Sequence, residues 1–294
     1  MSNLIKIITK PDNVAIVIML LMIVFYAGWA FKQGIGNDWR RRSGKPVEGE
    51  GDSKVAVWPN LARIEMLVTL IIIAGLGLWS ILLDAPLEEH SSPTLTPNPA
   101  KAPWYFLGLQ EILVYFDPWI AGVIIPALII FGLMAIPYLD INPKGNGYYT
   151  LSERKYAILT FSFGFLILWI SLIVIGVFMR GPGWLWYWPW QEWDHSRVVY
   201  QANVDLTALV GIDSRSVLGF LLGGSILGMY YGLGMILPYY YLQKRHGDFL
   251  KNLGMIRYVI LAFLFWTMLG LPIKIILRLA LHVKYICVTP WFNI

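Results

Sequence analysis

The stretch IEMLVTLIIIAGLGLWSILL, residues 64–83, carries a single charge, Glu65. An α-helix rises about 1.5 Å per residue, so this stretch reaches about 30 Å, the thickness of a bilayer's hydrocarbon core. It reads as a membrane-spanning helix. Working outward, five more segments meet the same criterion: Val14–Phe31, Trp119–Leu139, Tyr156–Met179, Val217–Leu242 and Met255–Ile273. The last is the weakest, because Pro272 and Lys274 interrupt it. Beyond it, residues 274–294 set Lys274, Arg278 and Lys284 among apolar positions, the pattern of an amphipathic helix lying in the interface. The first segment has no small-residue cleavage site after it and is read as a retained span. The expected fold class is all-α, a polytopic membrane protein with about six transmembrane helices.

Composition agrees. Of 294 residues, 57% are hydrophobic and 14% charged, and the mean hydropathy is +0.60. Soluble domains carry roughly 25% charged residues. This balance excludes a soluble enzyme, a nucleic-acid binder and a disordered chain. The single cysteine rules out an internal disulfide, a thiolate zinc site and a C-x-x-C-H haem attachment. Fourteen tryptophans suit membrane interfaces, where an amphipathic ring sits at headgroup level.

The net charge of +5 gains meaning from its placement. Segment 32–63 holds Lys32, Arg40, Arg41, Arg42, Lys45, Lys54 and Arg63. Segment 140–155 holds Lys144, Arg154 and Lys155, and segment 243–257 holds Lys244, Arg245, Lys251 and Arg257. Parity puts all three on one side, and the positive-inside rule makes that side cytoplasmic. Loops 84–118 and 180–216 then face outward, as do both ends of the sequence. Three parts follow: residues 1–59, a span and its cytoplasmic linker; residues 60–180, spans joined by a long outer loop; and residues 181–294, a Trp-rich outer loop with a membrane extension.

The outer loop 84–118 reads DAPLEEHSSPTLTPNPAKAPWYFLGLQEILVYFDP. Its prolines, Pro86 to Pro103, forbid a continuous helix. From Trp104 to Phe116 an apolar-aromatic run containing Gln110 and Glu111 reads as a short interfacial helix closed by Asp117-Pro118. A long aromatic loop between two spans is either functional or a flap packing helix ends.

The stretch NPAKAPWYFLGLQEIL, followed by a span and IPYLDINP, resembles the C-terminal half of cytochrome b, the subunit IV type of a quinol–cytochrome c reductase. The resemblance covers roughly residues 60–180. The family's loop carries Pro-Glu-Trp-Tyr followed by Phe at the outer, quinol-oxidising site, and Ala102-Pro103-Trp104-Tyr105-Phe106 occupies that place here. The resemblance implies quinol-binding residues Pro103, Trp104, Tyr105 and Phe106. Pro103 stands where the family has a glutamate that binds the quinol hydroxyl and takes a proton, and proline does neither. Glu111, Glu88, Glu89 and His90 are the substitutes considered; Glu111, with Tyr105, is the catalytic candidate.

A bis-histidine haem needs two imidazoles inside the membrane. His90, His195, His246 and His282 all lie outside the expected spans, so no metal or haem ligand is assigned to this chain. The resemblance implies b haems in a partner chain, the haem-binding N-terminal half of cytochrome b. It also implies a Rieske iron–sulfur protein, a c-type cytochrome, surrounding lipids, quinol or quinone at the subunit interface, and a dimeric complex in a bacterial inner membrane, with no nucleic acid. The expected function is a membrane subunit completing the outer quinol site. One rival is a structural anchor of a respiratory complex lacking a working site. Another is a transporter, which calls for intramembrane polar residues or inverted repeats.

Three features lie outside the resemblance. Cys287 is either a thioether site for an unusual haem or a buried thiol. The aromatics following Gly181-Pro182-Gly183, from Trp184 to Trp193, are interfacial anchors or a docking face. Gly219, Gly223, Gly224, Gly228, Gly232 and Gly234 line the fifth span at small-xxx-small spacing, for packing within the chain or against another subunit.

Overall fold

A computed structural model describes residues 2–49, 56–84, 87, 90, 92–142, 150–200 and 203–294. Among them, six helices are long and apolar enough to cross a membrane, and the chain is a multi-pass membrane protein. In chain order the helices are α1 (Ser2–Thr9), α2 (Pro11–Arg42), α3 (Ala62–Leu82), α4 (Trp104–Ile112) and α5 (Ile120–Leu139). They continue with α6 (Leu151–Met179), α7 (Val217–Arg245), α8 (Gly247–Leu253) and α9 (Met255–Leu281). All but α1, α4 and α8 are the spanning helices. No strand forms among the described residues; only isolated bridges such as Val204 with Val283 occur.

The chain divides into two compact units, Met1–Asn98 with Gly145–Ile158, and Pro99–Lys144 with Leu159–Ile294. In the first, α2 starts at Pro11, whose missing N–H suits a helix's first turn, and ends on Arg40, Arg41 and Arg42, where cations favour the helix dipole. Its inner end is tied by side chains. Arg41 pairs with Glu153, Asp38 accepts hydrogen bonds from the Ser152 amide at 2.9 Å and hydroxyl at 2.8 Å, and Asn37 Oδ1 accepts from the Glu48 amide at 2.9 Å. The helix α3 buries none of its residues within the chain.

The second unit has a core where α4, the start of α5, the outer part of α6 and the outer part of α9 meet. Ile112, Tyr115, Ile120, Ala121, Ile125 and Leu172 form it, with Trp169, Leu271, Ile275, Phe292 and Ile294 packed around. A smaller cluster of Leu250, Leu253 and Tyr258 closes the α7–α8–α9 turn. The outer loops and the C-terminal segment meet at one end of this unit. The Val204 amide donates to His282 O, the Lys284 amide donates to Val204 O, and Asn293 Nδ2 donates to Asp117 Oδ2 at 3.1 Å. These contacts put the two loops and the C-terminal segment at the same end of the unit.

Two expectations need correction. The sixth span does not stop at Ile273, and residues 274–294 are not an amphipathic interfacial helix. The helix α9 runs on through Pro272 and Lys274 to Leu281, because Lys274 is buried. Its ammonium donates to Lys284 O and lies over the Phe116 and Tyr285 rings. The short outer helix also ends earlier than Phe116, at Ile112. Asp117 opens α5 rather than closing α4: its Oδ1 accepts from the Trp119 amide at 3.0 Å, the cap that spares a helix start from orphan donors.

The glycines of α7 split into two sets. A Cβ at Gly219, Gly223 or Gly234 would run into Asp213 and Ser214, Ile286 and Cys287, or Trp266 respectively, whereas Gly224, Gly228 and Gly232 face open space. Close packing within the chain therefore accounts for half the stripe only. Cys287 is buried, and burial pushes its thiol pKa up.

Candidate functional site

The helix α4 is two and a half turns long. Helices this short are marginal alone and take their stability from tertiary contacts. Four sets of contacts fix this one. Gln110 reaches back across the proline-rich approach: its Oε1 accepts from the Ala102 amide at 2.8 Å and its Nε2 donates to Ala100 O at 2.9 Å. Lys101 Nζ donates to Val177 O at 2.6 Å and lies over the Trp193 ring. On the inward face Leu107, Gly108, Glu111 and Ile112 are buried. There Leu107 fills the space over Gly176, where a Cβ would sit 2.8 Å away, and the Trp169 ring covers Gly108.

The fourth contact is ionic. Arg180, directly after α6, grips Glu111 with two nitrogens: Nε to Oε2 at 3.0 Å and Nη2 to Oε1 at 2.5 Å. Glu111 is 0% exposed and Arg180 5%. The Tyr115 hydroxyl donates to Glu111 Oε1 at 2.8 Å, and Trp184 Nε1 donates to Oε2 at 3.2 Å. Arg180 Nη1 in turn donates to Trp184 O at 3.1 Å, and its guanidinium lies 5.4 Å from the Trp186 ring centre. A buried charge pair persists only when its remaining donors and acceptors are satisfied, and here they are. Burial, with the Glu111 charge second, pushes the Tyr115 hydroxyl pKa well up, so Tyr115 stays a donor to Glu111 across the physiological range.

The first turn of α4 is bare. Trp104, Tyr105 and Phe106 are 39%, 50% and 53% exposed, and their rings contact one another, Trp104 edge-on to Tyr105 at 5.6 Å and Tyr105 tilted on Phe106 at 4.6 Å. Pro103 is exposed at the helix start. The structure thus exposes Pro103, Trp104, Tyr105 and Phe106 together, with the three rings forming an aromatic wall around the first turn. It does not bring Glu111 to them: Glu111 lies at the far end of α4, buried and engaged by Arg180, Tyr115 and Trp184. His90 is exposed, and Glu88 and Glu89 lie outside the described residues. The residue that sequence reasoning missed is Arg180. Its signal was faint: a lone arginine closing an apolar span, on the same side as a lone glutamate inside an apolar helix.

All four histidines stand outside the six spans. This chain's own residues therefore do not fit a haem held between two membrane imidazoles.

Fold and site together define a class: a polytopic membrane protein in which the loop between two spans presents a short, internally clamped helix with an aromatic first turn uncovered. Residues 90–181 match the family model described as cytochrome b (C-terminal)/b6/petD. The match takes in α4, α5 and α6 but leaves out α3, so it is narrower at its start than the resemblance read from residues 60–180. The chain is 32% identical over 92 residues to the menaquinol:cytochrome c reductase cytochrome c subunit of Geobacillus thermodenitrificans, covering 30% of this chain and 37% of that protein. It is 33% identical over 92 residues to the protein of the same name from Bacillus subtilis (strain 168), covering 29% and 35%. The chain thus spans about a third of the length of these curated relatives. No solved structure matches.

Proposed function

We propose that this chain is a membrane subunit of a quinol:cytochrome c oxidoreductase in a bacterial inner membrane and completes its outer, quinol-oxidising site. The observation that carries the reading is where the family match falls. Residues 90–181 include the whole clamped helix and its uncovered aromatic wall, on the side that charge independently assigns to the outside. The names of the relatives make menaquinol the substrate class.

The chemistry follows from the wall. A quinol is a flat ring with two hydroxyls and an isoprenoid tail. Trp104 and Phe106 offer ring faces for it, and the Tyr105 hydroxyl offers a hydrogen bond to one quinol oxygen. Oxidation releases two protons to the outer side and two electrons to acceptors. The b haems and the iron–sulfur centre that take those electrons belong to partner chains: the N-terminal half of cytochrome b and a Rieske protein, with a c-type cytochrome beyond them in a dimeric complex. This chain's single cysteine makes no C-x-x-C-H attachment, so the cytochrome c character in the relatives' names is not carried over. Glu111, the expected proton acceptor, is given a different part: its oxygens are engaged by Arg180, Tyr115 and Trp184, and it holds α4 from behind.

The test is quinol:cytochrome c turnover of the purified native complex carrying Tyr105→Ala, with haem content checked. The reading expects turnover to fall at least tenfold with haem retained. Unchanged turnover would favour the second reading, a structural anchor, for which Pro103 in place of the family's glutamate is the specific argument.

A further inference from the structure

We propose that Arg180 is the positioning residue of the quinol-facing wall: through Glu111 it sets the rotation of α4, and hence the direction in which Tyr105 presents its hydroxyl. The inference rests on the quinol-site reading above and deepens it.

The helix α4 lacks a means of fixing its own rotation. Pro103 at its start provides no side-chain cap, and the helix is too short to hold its own orientation. Its apolar inward contacts, Leu107 over Gly176 and Gly108 under Trp169, set its depth by shape but contribute no hydrogen bond across to α6. A two-nitrogen guanidinium–carboxylate grip is directional and fixes an angle. Glu111 lies near the far end of α4 from Tyr105, so fixing Glu111 fixes the whole rigid helix.

Arg180 is itself immobilised. It follows a widened turn of α6, Ile175–Met179, pairs in a short bridge with Trp186, donates to Trp184 O and packs on the Trp186 ring. From there a ladder of rings leads outward: Trp186 edge-on to Trp188 at 5.7 Å, and Trp188 stacked on Trp190 at 5.3 Å. The reference point for α4 is thus the start of the Trp-rich loop, 69 residues away in sequence. Lysine cannot replace this arginine, since a point ammonium has no fork to match the two carboxylate oxygens.

The experiment uses the native complex with Arg180→Gln, Glu111→Gln, the double variant and Tyr105→Ala. Three readouts are taken: quinol KM and kcat, the pH–rate profile, and amide hydrogen exchange of residues 100–112. A positioning role predicts that either single variant raises KM about tenfold, with a smaller change in kcat and an unshifted pH profile. It also predicts faster exchange in α4. The double variant, which leaves no unpaired buried charge and lets two amides bond each other, returns KM to within about threefold of wild type. If Arg180→Gln is near wild type while Glu111→Gln and the double variant are equally impaired, Glu111 acts on its own and the proposal is overturned. Unchanged exchange in Arg180→Gln, with Tyr105→Ala inactive, overturns the clamp alone. A fully active Tyr105→Ala overturns the quinol reading, and this inference falls with it.

Discussion

The 21-residue helix α3 buries no residue within the chain, while the nine-residue α4 buries four. Both are apolar, and length would favour α3 as the better-packed element. In water it would be. In a bilayer lipid tails are as apolar as leucine, so an apolar helix gains nothing by burying itself against its own chain. What pulls a segment into a specific place is then polarity and shape: Glu111 with Arg180, Gln110 with the backbone of Ala100 and Ala102, and Gly176 under Leu107. Apolarity marks where the membrane is, and the rare polar groups mark where the chain meets itself.

The sharpest way to break this comparison is to remove one member of the ion pair. Glu111→Ala or Arg180→Ala leaves an uncompensated buried charge and is expected to cost about 3–5 kcal/mol, read as lost stability in thermal or denaturant unfolding of the detergent-purified complex. Close packing comes next. Gly223→Ala forces a methyl against Ile286 and Cys287, whereas Gly228→Ala meets open space. The first is expected to destabilise by about 1–3 kcal/mol and the second by less than about 0.5 kcal/mol in the same assay. A cost at Gly228 appearing only in the assembled complex would show another subunit on that face.

Smaller still is a chemical effect. Cys287 is buried and its thiol pKa is raised by burial. A raised thiol pKa means less thiolate at any given pH below it, so maleimide labelling at pH 8 is expected to be several-fold slower in the folded protein than after SDS unfolding. The rate should climb as pH rises. The smallest effect belongs to α3: Ile72→Ala, at a position 53% exposed, is expected to change stability by less than about 0.5 kcal/mol.

The same contrast explains what was legible in the sequence. The six spans were readable because a twenty-residue apolar run has one dominant meaning. That both loops lie at one end of the second unit was readable because the parity of the spans puts alternate connections on the same side. The aromatic wall from Pro103 to Phe106 was readable as a motif. The course of α9 was not, because a proline and a lysine look like an ending. Only the fold shows Lys274 sheltered by Lys284 O, Phe116 and Tyr285. The duty of Glu111 was equally hidden: sequence showed an acid six residues from Tyr105, and only the helix rotation and a partner 69 residues away turn it inward. Long-range pairing leaves no local pattern, and that is where sequence reading ran out.

If the quinol-site reading holds, the uncovered first turn of α4 is a wall of that site. Photo-crosslinking of the native complex with an azido-menaquinol analogue, followed by peptide mapping, tests it most directly. Attachment is expected within Pro103–Phe106 of this chain, suppressed by excess menaquinol. Saturable labelling confined to other segments or other subunits, with none on α4, would contradict it.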